Sequence, residues 1–242
     1  MFPLLAALSV ASASTAHADP SRPRVAIIDS GIARTPELAS LIVAEYDVAA
    51  TPQRPAFRPR FDHGTMVATI LARAARHNVS IISFRIDDPA GCPSGASPPC
   101  QPSAVPIADA IRRATALGVD AINLSLALDG DPRITAAVKD AAAKGIGIVM
   151  AAGNQGRQHP SNLAPARAAY PAAVLVGAVD AAGKRWSGTN LPDPRPRDYN
   201  YVWRLGVQVP TAGADGRPVT GTGTFFAVPI ETARLLRRRA RG

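Results

Sequence analysis

Residues 24 to 28, Arg-Val-Ala-Ile-Ile, form a short apolar run that stops at Asp29-Ser30-Gly31. An unbroken run of this length reads as a strand buried on both faces of a parallel sheet, delivering a side chain at its C-terminal end. Open α/β sheets gather their sites at such ends. The same pattern returns at residues 79–86, 120–126 and 147–151, with helical patterns between. Residues 105–117 put Ile107, Ala110, Ile111 and Ala114 on one side and Arg112 and Arg113 on the other, and Gly118 closes the helix. Residues 131–144 form a second helical stretch, closed by Gly145. Residues 37–48 read as a mixture of short helix and strand. Residues 51–60, with Pro52, Pro55 and Pro59, read as a loop.

Chemistry-bearing residues fall where these elements begin and end. Asp29 closes the first strand. Asp62-His63-Gly64-Thr65 opens a helical run through Ala72, and Ala151-Ala152-Gly153-Asn154 follows the strand at 147–151. An isolated Asp-Ser-Gly or a lone histidine carries little information, and His77 and His159 are read as ordinary surface or satisfied core positions. Taken together and in this order, the segments resemble the aspartate, histidine and oxyanion asparagine motifs of the subtilisin-like serine proteases. Tyr170-Pro171, leading into a strand, and Trp186-Ser187 resemble further landmarks of that family, so the likeness covers nearly all of the chain after residue 18.

The resemblance implies a single α/β domain built on a mostly parallel central sheet with helices on both faces. It assigns Asp29 to orient the base, His63 to act as the base, and Asn154 to donate to the oxyanion. It also implies that Leu124, Ser125, Leu126, Ala127 and Gly153 bind substrate, with Ala127 standing where the family has glycine. No cofactor and no metal are expected. The implied partner is an extended peptide or a protein, and the chain is expected to be a monomer without specific nucleic-acid binding.

The final motif departs from the family. Gly223-Thr224-Phe225-Phe226-Ala227-Val228-Pro229 matches Gly-Thr-Ser-x-Ala-x-Pro at four places and puts Phe225 where the nucleophilic serine belongs. A phenyl ring has neither a proton to lose nor a lone pair to donate. Loss of that serine lowers subtilisin turnover about a millionfold, leaving on the order of a thousandfold over water. Catalytic impairment with retained peptide binding is therefore the leading reading. The alternatives are an active endopeptidase using Thr222 or Thr224, or a serine codon altered by one base.

The ends and the two cysteines add a context. Met1 to Ala18 contains an apolar run followed by Ala16-His17-Ala18, the pattern of a secretory signal peptide cleaved before Asp19. The expected mature domain spans residues 19–233, with no room for a prodomain ahead of Arg24. A basic tail spans 234–242. The formal charge of +9 makes that tail a candidate anchor on anionic surfaces. Cys92 and Cys100 bracket a segment rich in proline, glycine and serine and are expected to pair in an exported chain, which favours a secreted or periplasmic protein. Metal binding by these cysteines is the weaker reading, because no second ligand pair lies near them.

Overall fold

The computed structural model describes residues 21–94, 98–128, 130–194 and 198–239. The expected signal peptide and the last three residues of the basic tail lie outside these. Along the chain come β1 (Arg24–Asp29), β2 (Ile42–Asp47), α1 (His63–Ala74), β3 (Ser80–Arg85), α2 (Ala104–Ala116), β4 (Ala121–Leu124) and α3 (Pro132–Ala143). They are followed by β5 (Gly147–Ala151), α4 (Leu163–Ala168), β6 (Ala173–Val179), β7 (Asn200–Leu205), β8 (Val209–Ala212), β9 (Pro218–Gly221) and α5 (Thr224–Arg239).

Seven strands form one sheet in the order β2-β3-β1-β4-β5-β6-β7, and every neighbouring pair is parallel. From β1 the chain crosses to the edge strand β2, steps back to β3 between the two, then crosses over to build the other side from β4. That reversal leaves a crevice at the carboxyl ends of β1 and β4, where Asp29 lies. Strand periodicity sorts the core into two layers. Val25, Ile27 and Ile81 pack with Val67 and Leu71 of α1 and Ala233 and Leu236 of α5. Ala26, Ile28, Ile82 and Phe84 face the other way, onto Ile107 and Ile111 of α2 and Ile134 and Val138 of α3. The α/β fold with helices on both faces is as expected.

Helix starts follow local chemistry. Ser103 accepts from Val105 N at 3.2 Å ahead of α2, and Asp131 accepts from Arg133 N at 2.8 Å ahead of α3, whose first residue is Pro132. Two expectations need adjusting. Residues 37–41 form turns rather than helix before β2. The strand expected over 120–126 ends at Leu124. The last described helix, α5, starts at Thr224, and Pro229 lies inside it. Strand β7 and the antiparallel β8–β9 hairpin were not foreseen. β7 is half-buried along its whole length at the sheet edge, so its pattern is neither an apolar run nor a clean alternation.

The basic end of the chain is tied to the fold. Glu231 is fully buried and meets Arg204 at 2.6 Å, Arg238 at 2.7 Å and Arg234 at 3.6 Å. Arg237 donates to the Ala74 carbonyl and Arg239 to the Asp120 carbonyl. A second cluster fixes the proline-rich loop ahead of α1. Asp47 accepts from Arg54 N at 3.0 Å and Nε at 2.7 Å, and Arg54 reaches on to Asp87 at 3.0 Å, which also holds Arg85 at 2.8 Å. Burial pushes the Asp47 carboxyl up, but the Arg54 guanidinium and the backbone N–H groups of Arg54 and Ala49 outweigh it and hold it below its ordinary value.

Two predictions follow from these clusters. Replacing Arg204 with Met strips the buried Glu231 of its least exposed partner and should lower unfolding free energy by about 2–3 kcal/mol, against under about 1 kcal/mol for Arg238→Met. Urea unfolding of both variants measures the difference. Because the folded Asp47 pKa is depressed, its contribution is full above the ordinary carboxylate value near about pH 4 and is lost as pH falls through the folded value. Asp47→Asn should therefore shallow the acid limb of a melting-temperature titration.

Candidate active site

The site forms where β1, α1, β5 and α5 meet. Asp29 accepts from Ser30 N at 2.7 Å, and its two carboxylate oxygens lie 2.8 and 3.0 Å from His63 Nδ1. A carboxylate can only accept here, so Nδ1 carries the proton and Nε2 keeps its lone pair in the neutral ring. That Nε2 is buried and has no hydrogen-bond partner among the described residues. The close seating of α1 requires Gly64, since a Cβ there would come within 2.2 Å of the Gly31 carbonyl oxygen. The rings of Phe225 and Phe226 pack on the imidazole, with centroids at 5.7 and 5.5 Å and Phe225 edge-on.

Asn154 is held by the start of α5. Thr224 donates to its Oδ1 twice, from N at 2.9 Å and from Oγ1 at 2.7 Å. A backbone N–H can only donate, so the side-chain oxygen must face Thr224 and the amide NH2 faces away from it. Gly223 supplies the room. It has φ +143, and a Cβ would sit 2.9 Å from Asn154 Nδ2. The Thr224 hydroxyl is fully buried and also accepts from Gly153 N at 3.2 Å. Thr222 Oγ1 accepts from Gln208 N at 2.9 Å.

A buried polar chain continues beneath Phe225. Pro229 has no N–H to offer the carbonyl four residues back, which leaves the Phe225 oxygen open inside a helix. Ser125 Oγ fills the gap, donating to it at 2.8 Å. Asn123 Nδ2 in turn donates to Ser125 Oγ at 3.0 Å, and Thr232 Oγ1 donates to Asn123 Oδ1 at 3.0 Å. The internal proline is thus matched by a partner on the segment after β4.

A cleft of about 460 Å³ opens beside this centre. Leu126, Ala127, Asn154 and Phe225 line it together with Pro98 to Gln101. Cys92 and Cys100 are disulfide-bonded, so the bridged loop contributes to that lining. Of the residues expected to bind substrate, Leu126 and Ala127 line the cleft. Leu124 faces the core instead, and Ser125 and Gly153 hold the framework through the bonds above. Among the described residues no three His, Cys, Asp or Glu side chains gather to hold a metal.

Two asparagines that the sequence did not single out fix the walls. Asn162 is fully buried, accepts from Leu128 N at 2.6 Å and donates to the carbonyls of Leu126 and Ala151, both at 2.8 Å. Asn190, also fully buried, accepts from the N–H groups of Gln155 and Arg157, each at 3.0 Å. Neither sits in a recognisable motif. Their backbone partners lie 11 to 36 residues away, which no local pattern records.

A sequence profile of the subtilase family, peptidase S8, matches residues 21–217. The chain belongs to the subtilase family. The match ends ahead of Gly223, so membership does not rest on the segment from Gly223 to Pro229. A thermostable alkaline protease from Halalkalibacterium halodurans is 31% identical over 222 residues, covering 85% of this chain and 54% of the relative. Subtilisin amylosacchariticus from Bacillus subtilis subsp. amylosacchariticus is 28% identical, covering 86% and 53%. This subtilase thus spans about half the length of those curated relatives. Among solved structures, a cold adapted subtilisin-like serine proteinase superposes with a TM-score of 0.71 at 22% identity, covering 90% of this chain and 75% of its own. The prenylagaramide maturation protease PagA gives 0.68 at 20% identity, covering 90% and 77%. These two likenesses speak to the fold.

Asn162→Ala should leave two buried carbonyls and one N–H unpaired and lower stability by about 2–4 kcal/mol. Guanidinium unfolding checks the loss.

Proposed function

We propose that this subtilase homologue is exported and holds an extended peptide or protein segment along the cleft without cutting it. The observation that carries the reading is the packing of Phe225 against His63. The base has its orienting carboxylate, yet its Nε2 meets no hydroxyl among the described residues, and the Phe225 ring packs perpendicular to the imidazole with centroids 5.7 Å apart. Acyl transfer needs a nucleophile, a base, an orienting acid and oxyanion donors. In this reading Asp29, His63 and Asn154 supply the last three and residue 225 withholds the first.

The substitute-nucleophile alternative is disfavoured by hydrogen bonding. The Thr224 proton goes to Asn154, and its buried oxygen is already an acceptor for Gly153, so no base reaches it. Anchoring by the basic tail is likewise weakened, because Arg237, Arg238 and Arg239 are engaged within the fold. The proposed layout is a leader over 1–18, a peptidase-like domain over 19–233 and a basic end over 234–242, with α5 running through the last boundary. Export fits the Cys92–Cys100 bridge, since such bridges persist in oxidising compartments. Binding would use main-chain pairing of an extended segment beside residues 125–127.

The test is labelling by a fluorophosphonate probe, read by intact mass, for the chain as written and for Phe225→Ser. We expect an adduct on Phe225→Ser alone, with hydrolysis of an unstructured protein rising at least about a thousandfold over the parent. Labelling of the parent chain, mapped to Thr222 or Thr224, would overturn the reading.

A further inference from the structure

A second, smaller cavity of about 380 Å³ joins the main cleft through Ala127 and Gln155, which line both. Its character differs. The main cleft is walled by Ile86, Pro98, Pro99, Ile107 and Leu126, whereas the smaller cavity is lined by Arg157, His159, Gln155 and Ser161. Arg157 is held by its backbone at both ends. Its N–H donates to Asn190 Oδ1 at 3.0 Å and its carbonyl accepts from Leu191 N at 2.8 Å. The guanidinium makes no ion pair among the described residues, and no described carboxylate lines the cavity. Asp129 lies outside the described residues. The contrast with the neighbouring cavity is direct, because there the only described cation, Arg133, is closed off by a two-pronged pair with Asp131 at 2.8 and 3.0 Å.

Building on the peptide-holding reading above, we infer that this cavity selects an acidic side chain, glutamate foremost, on the peptide lying in the main cleft. The shared wall means that a side chain entering the cavity belongs to a residue whose backbone runs past Ala127. A guanidinium presents a planar fork of donors that matches a carboxylate, and His159 lines the same cavity. Position comes from Asn190, which fixes the Arg157 backbone. Arg157 is exposed, so the pairing acts more through discrimination between side chains than through total affinity. Gln155 and Ser161 have polar atoms already engaged with Asn190 and one another, which keeps the floor rigid.

The experiment uses the full chain and a panel of fluorescent extended peptides identical except for one central residue: Glu, Asp, Gln, Leu or Lys. Fluorescence anisotropy reads binding to the parent chain, and cleavage of the same panel is read on Phe225→Ser. We expect Glu to exceed the isosteric Gln by about tenfold in one or both assays. The preference should vanish in Arg157→Gln, return in part in Arg157→Lys, and shrink with added salt. Unchanged melting temperatures of the Arg157 variants separate this from misfolding. Equal handling of Glu and Gln, or a preference that survives Arg157→Gln, overturns the acidic selection while leaving peptide binding intact. If the parent chain binds no peptide but Phe225→Ser cleaves after Glu, the holding reading falls and the selection stands. If no peptide is bound or cleaved, both fall.

Discussion

Helix α5 begins in the interior, and the geometry of the site depends on how its first turn is held there. A helix start leaves N–H groups without internal acceptors, and burying them unpaired would be costly. Asn154 takes the N–H of Thr224, and the Gly223 carbonyl takes that of Phe226 at 3.1 Å. The same contact turns the Asn154 amide outward. One hydrogen bond therefore closes the helix and aims a donor, so a change that loosened α5 would also misdirect Asn154.

The second constraint lies three residues further along. Pro229 opens the Phe225 carbonyl, and the Ser125–Asn123–Thr232 chain closes it again. This network touches residue 225 only through its backbone. Its side chain is free of the framework and packs on His63, which explains how a ring can sit at that point without disturbing the polar bonds around it. Framework and side chain are separable at residue 225. The Asp29–His63 pair keeps its geometry because Gly64 and Ser30, not residue 225, determine how α1 meets β1.

Much of this was legible in the sequence because it is encoded locally. Buried parallel strands are unbroken apolar runs, and β1, β3 and β5 stood out as such. Asp29, His63 and Asn154 lie at element ends, where short motifs mark them. What escaped notice was encoded at a distance. Asn162 and Asn190 bond backbone groups across the cleft walls, β7 is half-buried with no regular alternation, and the β8–β9 hairpin lacks a long apolar strand. Leu124 was assigned to the cleft by its motif, yet its position in β4 turns it into the core. The basic end read as a free tail because sequence alone could not pair Glu231 with Arg204.

The order in which the chain emerges during synthesis bears on how such a fold is reached. The apolar side of β5 and β6 is roofed by Ala227 and Val228 of α5, the last of the described elements to be made. Until that helix leaves the ribosome, the nascent sheet carries an open face of Val149, Ala151, Val174 and Val176. Incomplete chains with uncovered apolar surface are prone to association. A ribosome stalled just short of residue 224 would hold a sheet that α1 covers over β1 and β3 while the β5–β6 part of the same side stays bare, which makes closure of that surface wait for the last helix.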